Sequence, residues 1–158
     1  MLAKYLVDSE ASQVLGRRVI ELGAGCGLAG IVAAKLGASE TCITDQAALL
    51  GLISHNIKVN CSNLPGVRAI DFSWGEATTK LHPPYDFVLV ADCINPIYGY
   101  ESWERLATSV ILSPFISLSF FSPRHLPLFS RRMPRIYSHN NMLLFRPSRY
   151  GSCQVLQV

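Results

Sequence analysis

Acid is missing from the last third of this 158-residue chain: all 11 Asp and Glu lie at or before Glu104, while 7 of the 14 Lys and Arg lie at or after Arg105. Seven bases against eleven acids leave the first part at −4, and the tail carries +7, so the net charge of +3 hides a sharp asymmetry. The seven tail bases are all arginines, set among Ser, Pro, Phe and Leu without a period. They read as a segment foreign to the pattern of the rest, not as a stripe for nucleic acid, and no nucleic-acid partner is expected. Cysteines in paired spacing are also missing. Cys26, Cys42, Cys61, Cys93 and Cys153 are odd in number and form no Cys-x-x-Cys, which argues against a disulfide framework or a zinc site. They are read as reduced packing residues, and no metal is expected. His55, His82, His125 and His139 are scattered as ordinary loop or surface residues. No basic-apolar-small leader opens the sequence and no apolar run approaches a membrane span. The expectation is a soluble monomer of the cytoplasm, with the nucleus as a second location, and no membrane partner.

What is present is a hydrophobic fraction of 49%, enough for one buried core. It also holds the run Val19-Ile20-Glu21-Leu22-Gly23-Ala24-Gly25-Cys26-Gly27-Leu28-Ala29-Gly30. That run reads as a strand, a glycine hinge and a helix start. Glycines permit positive φ and close backbone approach, and the first helical turn offers unpaired N–H groups to a ligand.

Around it, an apolar-periodic helix is predicted over residues 2–15 and a strand over 17–23. A helix at 28–36 closed by Gly37 follows, then a strand at 41–45, a helix at 46–60, and a strand at 67–72 after Pro65-Gly66. A Thr/Pro/Gly-rich loop at 73–84 leads to the near-continuous apolar run Tyr85–Ala91, suited to a strand covered on both faces, and a helix spans 101–112. The alternation implies an α/β, Rossmann-like, doubly wound, mostly parallel sheet. Ligands of such sheets bind beyond the carboxyl ends of the strands, where Gly23–Gly27, Asp45, Ser73-Trp74 and Asp92 fall.

Gly25-x-Gly27-x-x-Gly30 also satisfies the dinucleotide fingerprint. Glu21 points elsewhere, because a nicotinamide-binding strand is usually apolar up to its first glycine. Asp45, 22 residues after Gly23, is placed to take the hydroxyls of an adenosine ribose, a role that fits NAD as well and that a simple helix N-cap could replace. Trp74, followed by Gly75, offers a flat apolar face to an adenine, or is a core tryptophan. Asp92 is a carboxylate at the pocket mouth, or a structural strand-end aspartate.

The order acid-Leu-Gly-x-Gly-x-Gly resembles the first motif of the seven-strand S-adenosylmethionine-dependent methyltransferases. Together with Thr44-Asp45, Asn56, Asn60, Trp74-Gly75 and Tyr85–Ile94, it resembles the small methyltransferase-like protein-lysine methyltransferases over about 2–112. The resemblance implies S-adenosyl-L-methionine as cofactor and a protein substrate modified on a nitrogen, lysine before any other. Glu21, Gly23, Gly25 and Gly27 would line the methionine moiety, Asp45 would hold the ribose and Trp74 would flank the adenine. Ala24, Gln46 and Ala91 complete the implied binding set. Asp92 is expected to orient the amine, with Asn95 and Tyr98 beside it. Methyl transfer needs in-line placement of a neutral lone pair more than acid–base machinery.

The pattern departs from that family in three places. Its strand-four motif Asp-x-x-Tyr here reads Asp92-Cys93-Ile94-Asn95, so the tyrosine is missing, and Tyr98 or Tyr100 is expected to replace its ring. Asn95-Pro96-Ile97-Tyr98 is similar to the Asn-Pro-Pro-Tyr motif of enzymes that methylate amide or exocyclic amino nitrogens. Four to five of seven strands are expected, with a core at 1–112 and a divergent basic tail at 113–158 that is irregular apart from a candidate strand at Phe115–Phe121. The start is abrupt, so part of a cofactor lid is expected to be missing and affinity to be weak. Two further readings stand beside the enzyme: an inactive fragment acting as a binding module, and an NAD-dependent oxidoreductase.

Overall fold

The computed structural model describes residues 2–93, 96–111, 142–147 and 153–157. The chain opens with α1 (Leu2–Tyr5), a π-helical turn (Leu6–Glu10) and α2 (Ala11–Val14). Then come β1 (Arg18–Leu22), α3 (Leu28–Lys35), β2 (Glu40–Asp45), a 3-10 turn (Ala47–Leu49), α4 (Leu50–Cys61) and β3 (Val67–Asp71). A second 3-10 turn (Thr78–Leu81) precedes β4 (Phe87–Ala91), and a third (Pro96–Tyr98) precedes α5 (Gly99–Ile111). Every element predicted within 2–112 is there, most ends shifted by one or two residues; the helix expected over 2–15 is interrupted by the π-helical turn, and the one expected from 46 becomes α-helical only at Leu50, after the 3-10 turn. β4 starts at Phe87 and not Tyr85. Asp86 bridges to β1 instead, its carboxylate accepting the Arg18 N–H at 2.8 Å, and the Tyr85 hydroxyl turns back to donate to the Leu81 carbonyl.

The sheet order is β3-β2-β1-β4, all parallel, continued by two further strands, β5 (Met142–Pro147) and β6 (Cys153–Gln157). β5 runs antiparallel to β4, and β6 antiparallel to β5. The expectation of an irregular tail is corrected to that extent, because the open edge of β4 offers a row of backbone donors and acceptors that a hairpin can pair. The candidate strand at Phe115–Phe121 lies outside the described residues.

Register places the site. Leu22 faces Thr44 on one side and Val90 on the other, so β1, β2 and β4 end level with one another. Side-chain alternation sends Ile20, Leu22, Val88 and Val90 into one core with Phe72, Trp103 and Leu106. Val19, Phe87 and Leu89 enter another with Leu2, Leu6, Ala29 and Ala33. Burial on both faces explains why the β4 sequence is an unbroken apolar run. α3 and α4 close the second layer through Ile31, Ala34, Ile43 and Ile53. The chain leaves β3 and returns on the far side of β1, so the order switches between β1 and β4, where a doubly wound sheet opens a crevice.

Candidate functional site

The hinge after β1 has the geometry its glycines predict: Gly23, Gly25 and Gly27 hold φ of 65, 59 and 81°. Neighbours fix it from two sides. From β2, the Thr44 carbonyl accepts the Ala24 N–H at 3.0 Å, and Asp45 Oδ2 accepts the Gly25 N–H at 2.7 Å. From α4, Asn56 Nδ2 donates to the Cys26 carbonyl at 2.9 Å.

Asp45 does not cap the following helix through its first turn. Its second oxygen, Oδ1, accepts the adjacent Gln46 N–H at 2.7 Å. A carboxylate has about four acceptor directions, so two N–H groups leave roughly half of its capacity for a ligand.

Beside the loop opens a cavity of 580 Å³, lined by Gly23, Ala24, Gly25, Asp45, Gln46, Trp74, Ala91, Asp92 and Tyr98. These nine expected residues therefore share one space. Three others differ. Asn95 lies outside the described residues. Gly27 is packing: a Cβ there would come within 3.2 Å of Ile43. Glu21 is not on the wall but beneath it, 3% exposed, its Oε2 accepting the Gly30 N–H of α3 at 2.7 Å. Strand alternation is the reason, since Glu21 follows Val19 toward the face that α3 covers. Burial pushes its carboxyl up to about 7, against the pull of the Gly30 and Ala29 N–H groups and with a push from the Asp45 charge.

Cys26 and Ser73, placed at strand ends by the sequence but given no role there, also line the cavity, and Leu49, Phe72, Cys93, Ser102 and Arg105 are wall residues to which the sequence assigned no place in the site. Cys93 matters most, because a Cβ on Gly23 would lie 2.7 Å from its sulfur and 2.9 Å from the Trp74 ring. Its thiol donates to the Leu22 carbonyl at 3.3 Å. Burial, then the nearby Glu21 and Asp45 charges, push it up to about 12, so it is a protonated packing group and not a nucleophile. Only its place directly after Asp92 signals it in the sequence. Trp74 is half-buried and meets Tyr98 edge to face, with centroids 6.3 Å apart at 84°. Asp92 holds φ 56°, a left-handed conformation uncommon for a residue with a side chain.

The donor set fits an adenosyl cofactor. Gly25 is a wall residue, and a Cβ there would meet no atom beyond its chain neighbours within 4 Å, so the backbone at this point of the wall is left bare. Half-used carboxylate capacity at Asp45 and the Trp74 indole on the wall of the same cavity supply the polar and flat partners that a ribose and a purine need. Among the described residues no cluster of three His, Cys, Asp or Glu could hold a metal ion.

Fold and site thus define a Rossmann-like α/β domain with a crevice at its strand-order switch, in the manner of the methyltransferases. The likeness extends to solved structures. A Thermoplasma acidophilum protein superposes with TM-score 0.54 at 19% identity, over 71% of this chain and 55% of that one. Magnesium protoporphyrin IX methyltransferase from Synechocystis, with bound S-adenosylhomocysteine, superposes with TM-score 0.53 at 17% identity, over 89% of this chain and 62% of that one. At these identities the likeness is one of fold. Residues 1–112 match the lysine methyltransferase family, and the chain belongs to it.

Among curated relatives, mouse protein-lysine methyltransferase METTL21E is 38% identical over 112 residues, 65% of this chain and 43% of that protein. Protein N-lysine methyltransferase METTL21A of Xenopus tropicalis is 41% identical over 127 residues, 78% of this chain and 56% of that protein. Calmodulin-lysine N-methyltransferase of Arabidopsis thaliana is 36% identical over 126 residues, 76% of this chain and 41% of that protein. The chain thus spans between 41% and 56% of the length of these three.

Proposed function

We propose that the chain binds S-adenosyl-L-methionine in the cavity between β1 and β4 and transfers its methyl group to a lysine amine of a protein substrate. The observation that carries this is the pairing on one cavity wall of Gly25, where a Cβ would meet open space, with Asp45, whose carboxylate anchors Gly25 and keeps acceptor capacity. The cofactor supplies a methyl group on a positively charged sulfur, already primed to leave. Gly23, Ala24 and Gly25 hold its amino-acid end, Asp45 and Gln46 its ribose, and Trp74 its adenine.

A free lysine titrates near ~10.4 and must shed its proton to attack. A cavity walled by Trp74, Phe72 and Tyr98 lowers that value by withholding water from the ammonium. Asp92 orients the amine through a hydrogen bond, and Tyr98 walls its channel in place of the ring missing at position 95. The free thiols Cys26, Cys42, Cys61 and Cys93 suit a reducing compartment, the cytoplasm or nucleus.

The test is incubation of the purified chain, beside Asp92→Asn, with tritiated cofactor and cell lysate, followed by acid hydrolysis of labelled bands. Labelled methyl-lysine from the wild type, absent with Asp92→Asn, is expected. No cofactor binding by the wild type overturns the proposal. Binding without any labelled product favours the inactive binding module.

A further inference from the structure

Resting on that reading of the cavity, we infer that Asn56 is a positioning residue of the cofactor site, holding the Cys26–Gly27 peptide in one orientation. Both ends of this peptide are tied. Its carbonyl accepts Asn56 Nδ2 at 2.9 Å, and its N–H, on Gly27, donates to the Ala24 carbonyl at 2.9 Å. Gly27 follows with φ 81°, and Gly25 precedes with φ 59°. Glycine offers little steric resistance to rotation of a neighbouring peptide, so the hydrogen bonds at its two ends decide the orientation. The ties from Thr44 and Asp45 act on Ala24 and Gly25, upstream of Cys26, whereas Asn56 acts on the half of the loop that turns into α3. Cys26 is itself part of the cavity wall, so turning its peptide changes the surface a cofactor meets. Asn56 reaches the loop from the middle of α4 and does not line the cavity.

Asn60, one turn on, is the control. Its Nδ2 donates to the Asn56 backbone carbonyl at 2.9 Å, within α4, and leaves the loop untouched. Asn56→Asp keeps the shape but has no N–H to donate and turns a charge toward a carbonyl. The experiment compares wild type, Asn56→Ala, Asn56→Asp and Asn60→Ala by calorimetric binding of S-adenosylhomocysteine and by amide hydrogen exchange of residues 24–27 without ligand. Both Asn56 variants are expected to bind roughly tenfold more weakly and to exchange faster in the loop, with β1 exchange unchanged and Asn60→Ala within about twofold of wild type. Unchanged loop exchange, or wild-type affinity in Asn56→Asp, overturns the inference. Acceleration throughout β1 in both Asn56 variants also overturns it, since Asn56 would then support the fold at large. A wild type that fails to bind ends the cofactor reading, while the exchange comparison still decides whether Asn56 holds the loop.

Discussion

Glu21→Gln isolates the buried carboxyl under the glycine loop. The ordinary value of this carboxyl is 4.5, and in the fold burial pushes it up to about 7. Between those two values the folded chain keeps a proton that the unfolded chain has lost. The group's contribution to stability is therefore whole below pH 4.5, declines as the pH rises, and is gone above the folded value. At about 1.4 kcal/mol per pH unit, the interval amounts to roughly 3 kcal/mol. Gln keeps a carbonyl oxygen for the Gly30 N–H and has no proton to lose. Its added N–H2 shifts the whole stability curve but not its slope, and other titrating groups are common to both chains. The difference in unfolding free energy between Glu21→Gln and wild type should thus grow by about 3 kcal/mol, in the variant's favour, between pH 4.5 and 8. Urea unfolding of both proteins at half-unit pH steps measures it. Parallel curves across that range would refute the reasoning, since a carboxyl that titrates alike in both states contributes no slope.

The glycines separate fold from site. Gly25→Ala meets no protein atom within 4 Å and loses only about 1 kcal/mol to its left-handed backbone, yet it should weaken S-adenosylhomocysteine binding at least tenfold by calorimetry. Gly23→Ala, its Cβ 2.7 Å from the Cys93 sulfur, should lose about 3 kcal/mol in urea unfolding. Asp45→Asn should weaken the same ligand roughly tenfold, because its amide nitrogen cannot accept an N–H as the second carboxylate oxygen does. Asp92→Asn should keep cofactor affinity while methyl transfer to protein falls to background, and Asp92→Gly should gain about 1 kcal/mol in thermal unfolding by relieving φ 56°.

Most of the parallel half of the fold was legible because its signals are local. Apolar runs mark β1 and β4, Gly37 closes α3, and Pro65-Gly66 lies in the turn between α4 and β3. The cavity wall was legible for one topological reason: residues just past strand ends converge whatever their separation in sequence. Glu21 was misplaced by that same rule, because it lies inside β1, where alternation and not strand end decides direction. β5 and β6 were not legible, since a hairpin on the β4 edge depends on an unpaired partner far away in sequence. Cys93 and Asn56 entered only as members of a resembling pattern and without a role, because each works through packing or a single hydrogen bond to backbone, which leaves no pattern of its own.

The two ends of the parallel strands differ in how far their polar groups are already satisfied, and that difference argues for the site independently of any relative. At the amino ends, Glu40 receives Arg18 at 2.7 Å and Arg68 at 2.6 Å, and Arg68 also reaches the Tyr85 hydroxyl at 2.8 Å. Opposite charges there answer one another, as they do where a surface has only to be stable. At the carboxyl ends, Asp45 accepts two backbone N–H groups, Asp92 stands exposed in a strained conformation, and Gly25 faces open space. Strain and spare acceptor capacity both disfavour the bare fold and gain a purpose only when something binds. They coincide at the β1–β4 switch, so the ligand belongs there, and its chemistry must include hydrogen-bond donors for Asp45 and a flat group for Trp74.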